Sequence, residues 1–170
     1  MQRISLVEES ARPDLAPLIS QVKAERGKFL NLYRVLANSP GVCAGWLHLF
    51  TELRMKAKLD GRIRELATMR IAVLNGADYE YQAHVPFALK EGLTQAQIDG
   101  LHDWRGLKIY QPRDLAVLAY TDSMTRDIHV PDQVYAAVRP FFDDREMVDL
   151  TATIAGYNMV SRFLIAMRIH

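Results

Sequence analysis

One stretch of this chain decides its fold and carries most of its candidate chemistry: residues 65–86, which read ELATMRIAVLNGADYEYQAHVP. Apolar residues lie on most sides of its first half, which predicts a buried helix over about 60–76. Gly76 is a typical helix end, and a second helix is expected to follow over 78–92. The stretch therefore predicts two consecutive helices, of which the first lies in the core.

The remaining sequence has the same three- and four-residue apolar spacing, and the period-two alternation of strands is hard to find. Ser39 supplies an N-cap before Pro40, Asp60 starts the next helix, and Thr94 with Gln97 has the form of a capping box. We therefore expect an all-α protein, with further helices near residues 13–27, 31–38, 112–127, 131–141 and 143–170.

Composition and charge limit the possible functions. The chain has 170 residues, of which 49% are hydrophobic, so we expect one domain over residues 1–170. Its 21 Lys and Arg residues are interspersed with 20 Asp and Glu residues, which argues against nucleic-acid binding. No apolar run reaches the roughly 18 residues of a membrane span. A single cysteine, Cys43, and the lack of an apolar leader favour a cytoplasmic protein.

The second helix carries a candidate acid–base pair. Glu80 and His84 are four residues apart, so their side chains share one face and can touch. A carboxylate and an imidazole on a partly desolvated surface are suited to proton transfer. Glu65 adds a third group, because a carboxylate in a buried helix needs a partner. The alternative for this spacing is a helix-surface pair without a functional role.

Two arginines and a tyrosine are candidates for binding a substrate. Arg70 falls on the apolar stripe of the first helix, where it is either a buried counter-ion or an anchor for an anionic ligand. Five residues separate it from Glu65, so each is expected to reach another element. Arg162 in the last helix could hold a carboxylate, with structural ion pairing as its alternative. Tyr81 is the third candidate.

Further elements accompany the Glu80–His84 pair in a characteristic order. They are the Glu65-Leu66 helix, the Asn75-Gly76 turn, the tail Ala88-x-x-x-Gly92-Leu93-Thr94, and Gly156-Tyr157-Asn158-Met159-x-x-Arg162-Phe163. Together they resemble the carboxymuconolactone decarboxylase and alkylhydroperoxidase AhpD-like superfamily, with the core of the resemblance over residues 45–130. The resemblance implies an AhpD-like helical bundle and a homo-oligomer, either a trimer or a hexamer.

The peroxidase branch of that superfamily uses Cys-x-x-Cys, with a histidine four residues after the second cysteine and a glutamate twelve residues before the first. Counted back from His84, the cysteines fall on Ala77 and Glu80, and the glutamate falls on Glu65. Both thiols are missing, and Cys43 has the apolar neighbours of a core cysteine, so a thiol peroxidase is not expected. The remaining branch carries a glutamate at the second cysteine position.

The resemblance implies decarboxylation, or another proton transfer, on a small unsaturated or lactone carboxylic acid, without a cofactor or a metal. His84 would be the acid or base, Glu80 would orient it, and Glu65 would be a second relay. Two alternatives stay open. One is a catalytically silent member of the fold that binds a small ligand or is structural. The other is a metal-dependent hydrolase with these three side chains as ligands.

Overall fold

A computed structural model describes residues 3–170 of the chain, and these residues form α-helices joined by short turns, without a β-strand. This confirms the all-α prediction. The helices are α1 (Ala16–Arg26), α2 (Asn31–Leu36), α3 (Pro40–Thr51), α4 (Gly61–Asn75), α5 (Asp78–Lys90), α6 (Gln95–Gly100), α7 (Pro112–Arg126), α8 (Asp132–Val138) and α9 (Asp144–Met167). A π-helical turn, Glu52–Lys56, follows α3.

The helices group into two compact units. Residues 57–163 form one unit, which contains α4 to α8 and most of α9. The other unit contains α1, α2 and α3 together with residues 164–170. The single domain over 1–170 stays a prediction. Every residue proposed for chemistry lies in the 57–163 unit.

Helix α4 is the buried helix that the apolar pattern predicts, and it packs against α5 and α7. Its N-terminus is capped by Asp60, whose Oδ1 accepts a hydrogen bond of 3.1 Å from the backbone N–H of Ile63. Gly76 ends the helix in the left-handed region, at φ 63°, where a side chain would be strained. The next helix, α5, begins only two residues later. The chain thus places Glu65 and the α5 side chains on adjoining helices.

Two of the predicted caps have different outcomes. The Thr94–Gln97 capping box is present at the start of α6, with both of its reciprocal hydrogen bonds. Ser39 precedes α3 as predicted, but its side chain makes no capping hydrogen bond. That part of the prediction is wrong, because Ser39 has a φ of −125° and a ψ of 88°, away from the extended conformation typical of an N-cap.

Helix α9 is held against α4 and α7 by one asparagine. Asn158 accepts a hydrogen bond of 3.0 Å from Asn75 at the end of α4 and donates one of 2.9 Å to Thr125 in α7. One face of α9 is buried at four-residue spacing through Thr153, Tyr157 and Ser161. This face brings a tyrosine and a serine to the side chains of α5.

Candidate active site

The central contact of the site joins α4 to α5. Nδ1 of His84 lies 2.7 Å from Oε2 of Glu65, and both side chains are buried. Within residues 3–170, no group forms a hydrogen bond with the other ring nitrogen, Nε2. A carboxylate at Nδ1 fixes the orientation of an imidazole and favours the tautomer that carries its proton there. Nε2 is therefore the ring nitrogen that can exchange a proton with a ligand.

The second oxygen of Glu65 is held by an arginine from the same helix. Nε of Arg64 lies 3.2 Å from Oε1 of Glu65, and Nη2 of Arg64 lies 3.7 Å from Oε1 of Glu91. A guanidinium beside a buried carboxylate offsets part of the cost of removing that charge from water. Arg64 thus supports Glu65 as a charged partner for His84.

Glu80 has a different partner from the one that its spacing predicts. Its Oε2 lies 2.5 Å from the hydroxyl of Ser161 in α9, and its Oε1 is buried with no hydrogen-bond partner among residues 3–170. Glu80 was expected to orient His84, but the structure gives that position to Glu65. Glu65 has this position because its side chain reaches Nδ1 from the neighbouring helix α4. Glu80 instead contacts Ser161 of α9.

Burial changes the proton affinity of Glu80. Desolvation raises the pKa of its carboxyl from 4.5 to about 8, and the hydrogen bond from Ser161 opposes that rise. Glu80 also lies in the first turn of α5, where the helix dipole favours a carboxylate by about 0.3–1 kcal/mol. Desolvation outweighs the hydrogen bond from Ser161, so burial favours the neutral carboxylic acid.

Aromatic rings surround the imidazole. The ring of Tyr157 meets His84 edge-on with 5.2 Å between the centroids, and the ring of Phe87 lies 5.9 Å away. Such contacts exclude water and strengthen the remaining electrostatic interactions of the imidazole. His84, Glu65, Glu80, Tyr157 and Ser161 are called the His84 cluster below.

Arg70 lies outside the His84 cluster. It is 2% exposed, and it donates to both oxygens of Asp122, at 2.6 and 3.0 Å, and to the backbone carbonyl of Leu101. Asp122 also accepts a hydrogen bond of 3.2 Å from Trp104 and forms an ion pair of 2.9 Å with Arg105. Of the two interpretations of Arg70, the structure supports the buried counter-ion. As predicted, Arg70 and Glu65 reach different elements.

The other two candidates for substrate binding each contact another side chain of the protein. Arg162 is exposed, and its Nη1 donates to the backbone carbonyl and the side-chain oxygen of Asn158 one turn earlier, at 3.1 and 2.7 Å. Tyr81 is half-buried, with its ring 6.1 Å from that of His102. Their roles in binding stay predictions.

A metal site was one alternative for Glu65, Glu80 and His84. Within residues 3–170, no group of three His, Cys, Asp or Glu side chains is arranged to hold a metal ion. Glu80 is instead engaged with Ser161. The alternative of a metal-dependent hydrolase therefore has no ligand set among these residues.

One cavity of the 57–163 unit lies apart from the His84 cluster. It has a volume of about 490 Å³ and is lined on α8 and α9 by Tyr135, Asp144, Met147, Val148, Thr151, Ala152 and Ala155. It is an open, mainly apolar groove, whose titratable lining residues are Tyr135 and Asp144. His84 is 7% exposed, so only a small part of the imidazole faces solvent.

Sequence reasoning missed Arg64, Tyr157 and Ser161 as parts of the site. Arg64 is adjacent to Glu65, and a charged neighbour of a buried carboxylate is a detectable signal. Tyr157 and Ser161 are four residues apart, which indicates a shared face of α9. Neither signal identifies a partner on another helix without the fold.

Cys43 is buried in α3, as its apolar neighbours predict. Desolvation raises the pKa of its thiol to about 11, so it stays protonated at neutral pH. It therefore lacks the thiolate that peroxidase chemistry needs.

No helix within residues 3–170 has both the length and the apolar character to cross a bilayer.

Comparison with known proteins agrees with this architecture. The chain is similar to the uncharacterized protein YdfG of Bacillus subtilis (strain 168), with 32% identity over 114 residues, which are 66% of this chain and 78% of YdfG. The fold is similar to the alkylhydroperoxidase AhpD core of a peroxidase-related protein from Ralstonia eutropha JMP134. That match has a TM-score of 0.83 and 20% identity, and it covers 99% of this chain and 91% of the other.

A second solved structure shares the fold at lower identity. The debrominase Bmp8 in complex with 2,3,4-tribromopyrrole matches with a TM-score of 0.81 and 14% identity, over 99% of this chain and 92% of the other. These structural matches establish an AhpD-like helical fold. The model of the Carboxymuconolactone decarboxylase family matches residues 40–123, which include Glu65, Glu80 and His84. By sequence and by fold, the chain belongs to the carboxymuconolactone decarboxylase family.

Proposed function

We propose that this protein is a proton-transfer enzyme that decarboxylates a small unsaturated or lactone carboxylic acid. The observation that carries the proposal is the buried contact of 2.7 Å between His84 Nδ1 and Glu65 Oε2. A carboxylate that orients an imidazole and stabilises its charged form is a recurring arrangement of general acid–base catalysis. The chemistry that it favours is a proton transfer at Nε2.

The proposed reaction needs one bond cleavage and one protonation. Loss of CO2 breaks the bond between the carboxylate carbon and its neighbour, and the electron pair moves into the adjacent carbonyl or lactone to form an enolate. His84, in its doubly protonated form with Glu65 as counter-ion, then donates the proton of Nε2 to the carbon, keeps the proton of Nδ1, and regains a proton at Nε2 from solvent. The substrate accepts the electron pair itself, so these residues need only position it and supply the proton.

The names of related proteins support a small, ring-shaped substrate. The family is named for a decarboxylase of a carboxylated muconolactone, and the debrominase with the same fold binds 2,3,4-tribromopyrrole. The aromatic rings of Tyr157 and Phe87 beside His84 are suited to contact with such a ring. We therefore propose a compact lactone or unsaturated acid in preference to an extended chain.

A catalytically silent, ligand-binding or structural member is the second candidate. It is favoured by the burial of Glu65 and Glu80, which are 1% and 2% exposed, and by the separation of the 490 Å³ groove from the His84 cluster. A silent protein needs no access to Nε2. The two candidates therefore differ in whether a small acid reaches His84.

Release of CO2 from a panel of small lactone acids and β,γ-unsaturated acids tests the proposal. The wild-type protein, His84→Gln and Cys43→Ser are compared, because Cys43 lies outside the 57–163 unit and serves as the matched control. We expect one compound to lose CO2 with the wild type and Cys43→Ser and not with His84→Gln. Turnover that survives His84→Gln contradicts the mechanism, and binding without turnover across the panel supports the silent candidate.

We also propose that the enzyme assembles as a trimer or a hexamer, as the family resemblance implies. The exposed apolar side chains of α3 and the following turn are consistent with a covered surface: Val42 is 54% exposed, Leu49 41% and Met55 71%. Light scattering coupled to size exclusion measures the assembly. A monomer at micromolar concentration would contradict this part of the proposal.

A further inference from the structure

Glu80 is a buried acid without a cationic partner. Its side chain is 2% exposed, no ion pair to it is present among residues 3–170, and Ser161 is its hydrogen-bond donor. A carboxylate in such a place would lose its hydration with little compensation, so the neutral acid is favoured. The raised pKa of Glu80, about 8, agrees with this geometry.

The hydroxyl of Ser161 determines where the proton of that acid resides. It lies 2.5 Å from Oε2 of Glu80 and 2.9 Å from the backbone carbonyl of Tyr157, but it has one proton to donate. The carbonyl of Tyr157 has a second lone pair beside its helix bond, so in the absence of a ligand the hydroxyl can donate to it and accept the acid proton from Oε2. When the hydroxyl donates to Oε2 instead, as the 2.5 Å contact allows, Oε2 is the acceptor oxygen of the acid.

In that second arrangement the acid proton resides on Oε1. This atom is buried and has no hydrogen-bond partner in the part of the chain that the structure describes. A buried donor without an acceptor is unfavourable, and native structures rarely keep one unless a ligand or water satisfies it. An acceptor oxygen placed at Oε1 would complete the hydrogen bonding of Glu80.

We propose that Glu80 and Ser161 form a binding site for one negatively charged oxygen of the ligand, in which Ser161 holds Oε2 and the proton on Oε1 is donated to that oxygen. An enolate oxygen is the best match, because a neutral carboxylic acid in an apolar site can donate a strong hydrogen bond to an oxyanion. In this inference Glu80 contacts the ligand and Ser161 is a positioning residue.

This inference rests on the proposed function, since a decarboxylation that forms an enolate creates such an oxygen. It also replaces the anchor that Arg70 was expected to supply, because the donors of Arg70 are engaged by Asp122 and Leu101. The other ionisable groups of the site are His84 on α5, Glu65 with Arg64 on α4, and Tyr157 on α9. Because these groups also affect the pH dependence of binding, the contribution of Glu80 is the difference between the wild type and a Glu80 variant.

Tetronic acid is a suitable probe, because it is a small lactone whose enol is ionised at neutral pH. Its O-methyl ether has the same ring without the charge. Calorimetry measures the binding of both to the wild type, Glu80→Leu, Glu80→Gln and Ser161→Ala. Thr153→Val is the matched control, because it removes a buried α9 hydroxyl that has no partner within residues 3–170.

We expect tetronate to bind the wild type more tightly than the ether does. Ser161→Ala should weaken tetronate binding about tenfold, as expected for the loss of one hydrogen bond to a group that contacts a charge. Glu80→Leu should abolish the preference for tetronate over the ether, and Glu80→Gln should retain much of it through the amide N–H. Thr153→Val should leave both affinities unchanged. Equal affinity of the wild type for both compounds, or no binding of either, overturns the inference.

Infrared spectroscopy of the wild type gives a second readout that needs neither turnover nor a stable variant of Ser161. A carbonyl band of a protonated carboxyl group should be present at pH 7, be absent in Glu80→Gln, and move to lower frequency when tetronate binds. If the band and the tetronate preference are found without decarboxylation, the proposed reaction fails and this site remains. If decarboxylation is found and the band is absent, the site fails alone.

Discussion

Oε2 of Glu65 lies 2.7 Å from Nδ1 of His84, although 19 positions separate the two residues in the chain. The contact exists because α4 and α5 are joined by a two-residue turn and pack against each other. The second oxygen of Glu65 is engaged by Arg64 at 3.2 Å. Glu65 therefore connects an imidazole on one side with a guanidinium on the other, and it fixes the position of both.

Glu65→Gln should lower kcat for the substrate identified by CO2 release by about 100-fold or more, the usual contribution of an acid–base group that depends on its partner. The amide keeps the size of the side chain and removes the charge that stabilises a protonated His84. The matched control is Glu91→Gln, which removes only the 3.7 Å contact with Arg64. A Glu65→Gln protein with wild-type kcat would show that His84 does not depend on Glu65.

Glu80 should make stability depend on pH in a defined window. The folded protein holds a proton on Glu80 up to about pH 8, whereas the unfolded chain releases it near the usual value of 4.5. Because the folded state binds more protons between these values, the free energy of unfolding falls as pH rises, by at most about 1.4 kcal/mol per pH unit. The stabilisation is complete below pH 4.5 and is lost as pH rises through about 8.

Urea unfolding of the wild type and Glu80→Gln across this window measures that contribution. Glu80→Gln carries no proton to release, so its stability relative to the wild type should increase steadily with pH, while the other ionisable groups contribute equally to both proteins. A constant difference between the two proteins would mean that Glu80 binds protons equally in the folded and unfolded states, contrary to its raised pKa.

Arg70→Met should destabilise the protein by about 3 kcal/mol, because it leaves the buried carboxylate of Asp122 without its main partner. The matched control is Arg105→Met, which removes an Asp122 contact from a side chain that is 57% exposed and should cost about 1 kcal/mol or less. Thermal unfolding measures both variants. An Arg70→Met protein with unchanged stability and a raised KM would restore the interpretation of Arg70 as a substrate anchor.

Asp60, which caps α4, and Ser39, the N-cap predicted for α3, should respond differently to alanine. Asp60→Ala removes the hydrogen bond to Ile63 N–H and should lower the free energy of unfolding by about 1 kcal/mol. Ser39→Ala removes a side chain that makes no capping hydrogen bond, so it should change stability by less than about 0.5 kcal/mol. Equal losses in chemical denaturation would contradict the difference between the caps.

Much of the fold follows from local sequence signals. The apolar pattern predicts a buried helix over 60–76, and α4 is observed at Gly61–Asn75. Gly76 and the Thr94–Gln97 box mark a helix end and a helix start because each acts through its own backbone and immediate neighbours. Ser39 shows the limit of such signals, since a capping residue functions only if the backbone before the helix has the required dihedral angles.

Sequence analysis predicted Glu65, Glu80 and His84 as members of the site, but not the partners that these side chains have. A spacing of four residues places Glu80 and His84 on one face of α5, but it does not tell which neighbouring helix offers a better partner. The long side chain of Glu65 reaches His84 from α4, and Ser161 reaches Glu80 from α9. The preference for these partners over the predicted pair depends on how the helices pack, which no pattern within one helix encodes.

The hydrogen bond from Trp104 to Asp122 has a practical consequence. The chain has two tryptophans, Trp46 and Trp104, and each belongs to a different compact unit. Trp104 donates its indole N–H to the carboxylate that holds Arg70, with the guanidinium of Arg105 4.4 Å from its ring centre. Fluorescence of Trp46→Phe should therefore follow the 57–163 unit alone, and fluorescence of Trp104→Phe the other unit. The two tryptophans thus report separately on the two compact units, and their fluorescence shows whether these units unfold in one step or in sequence.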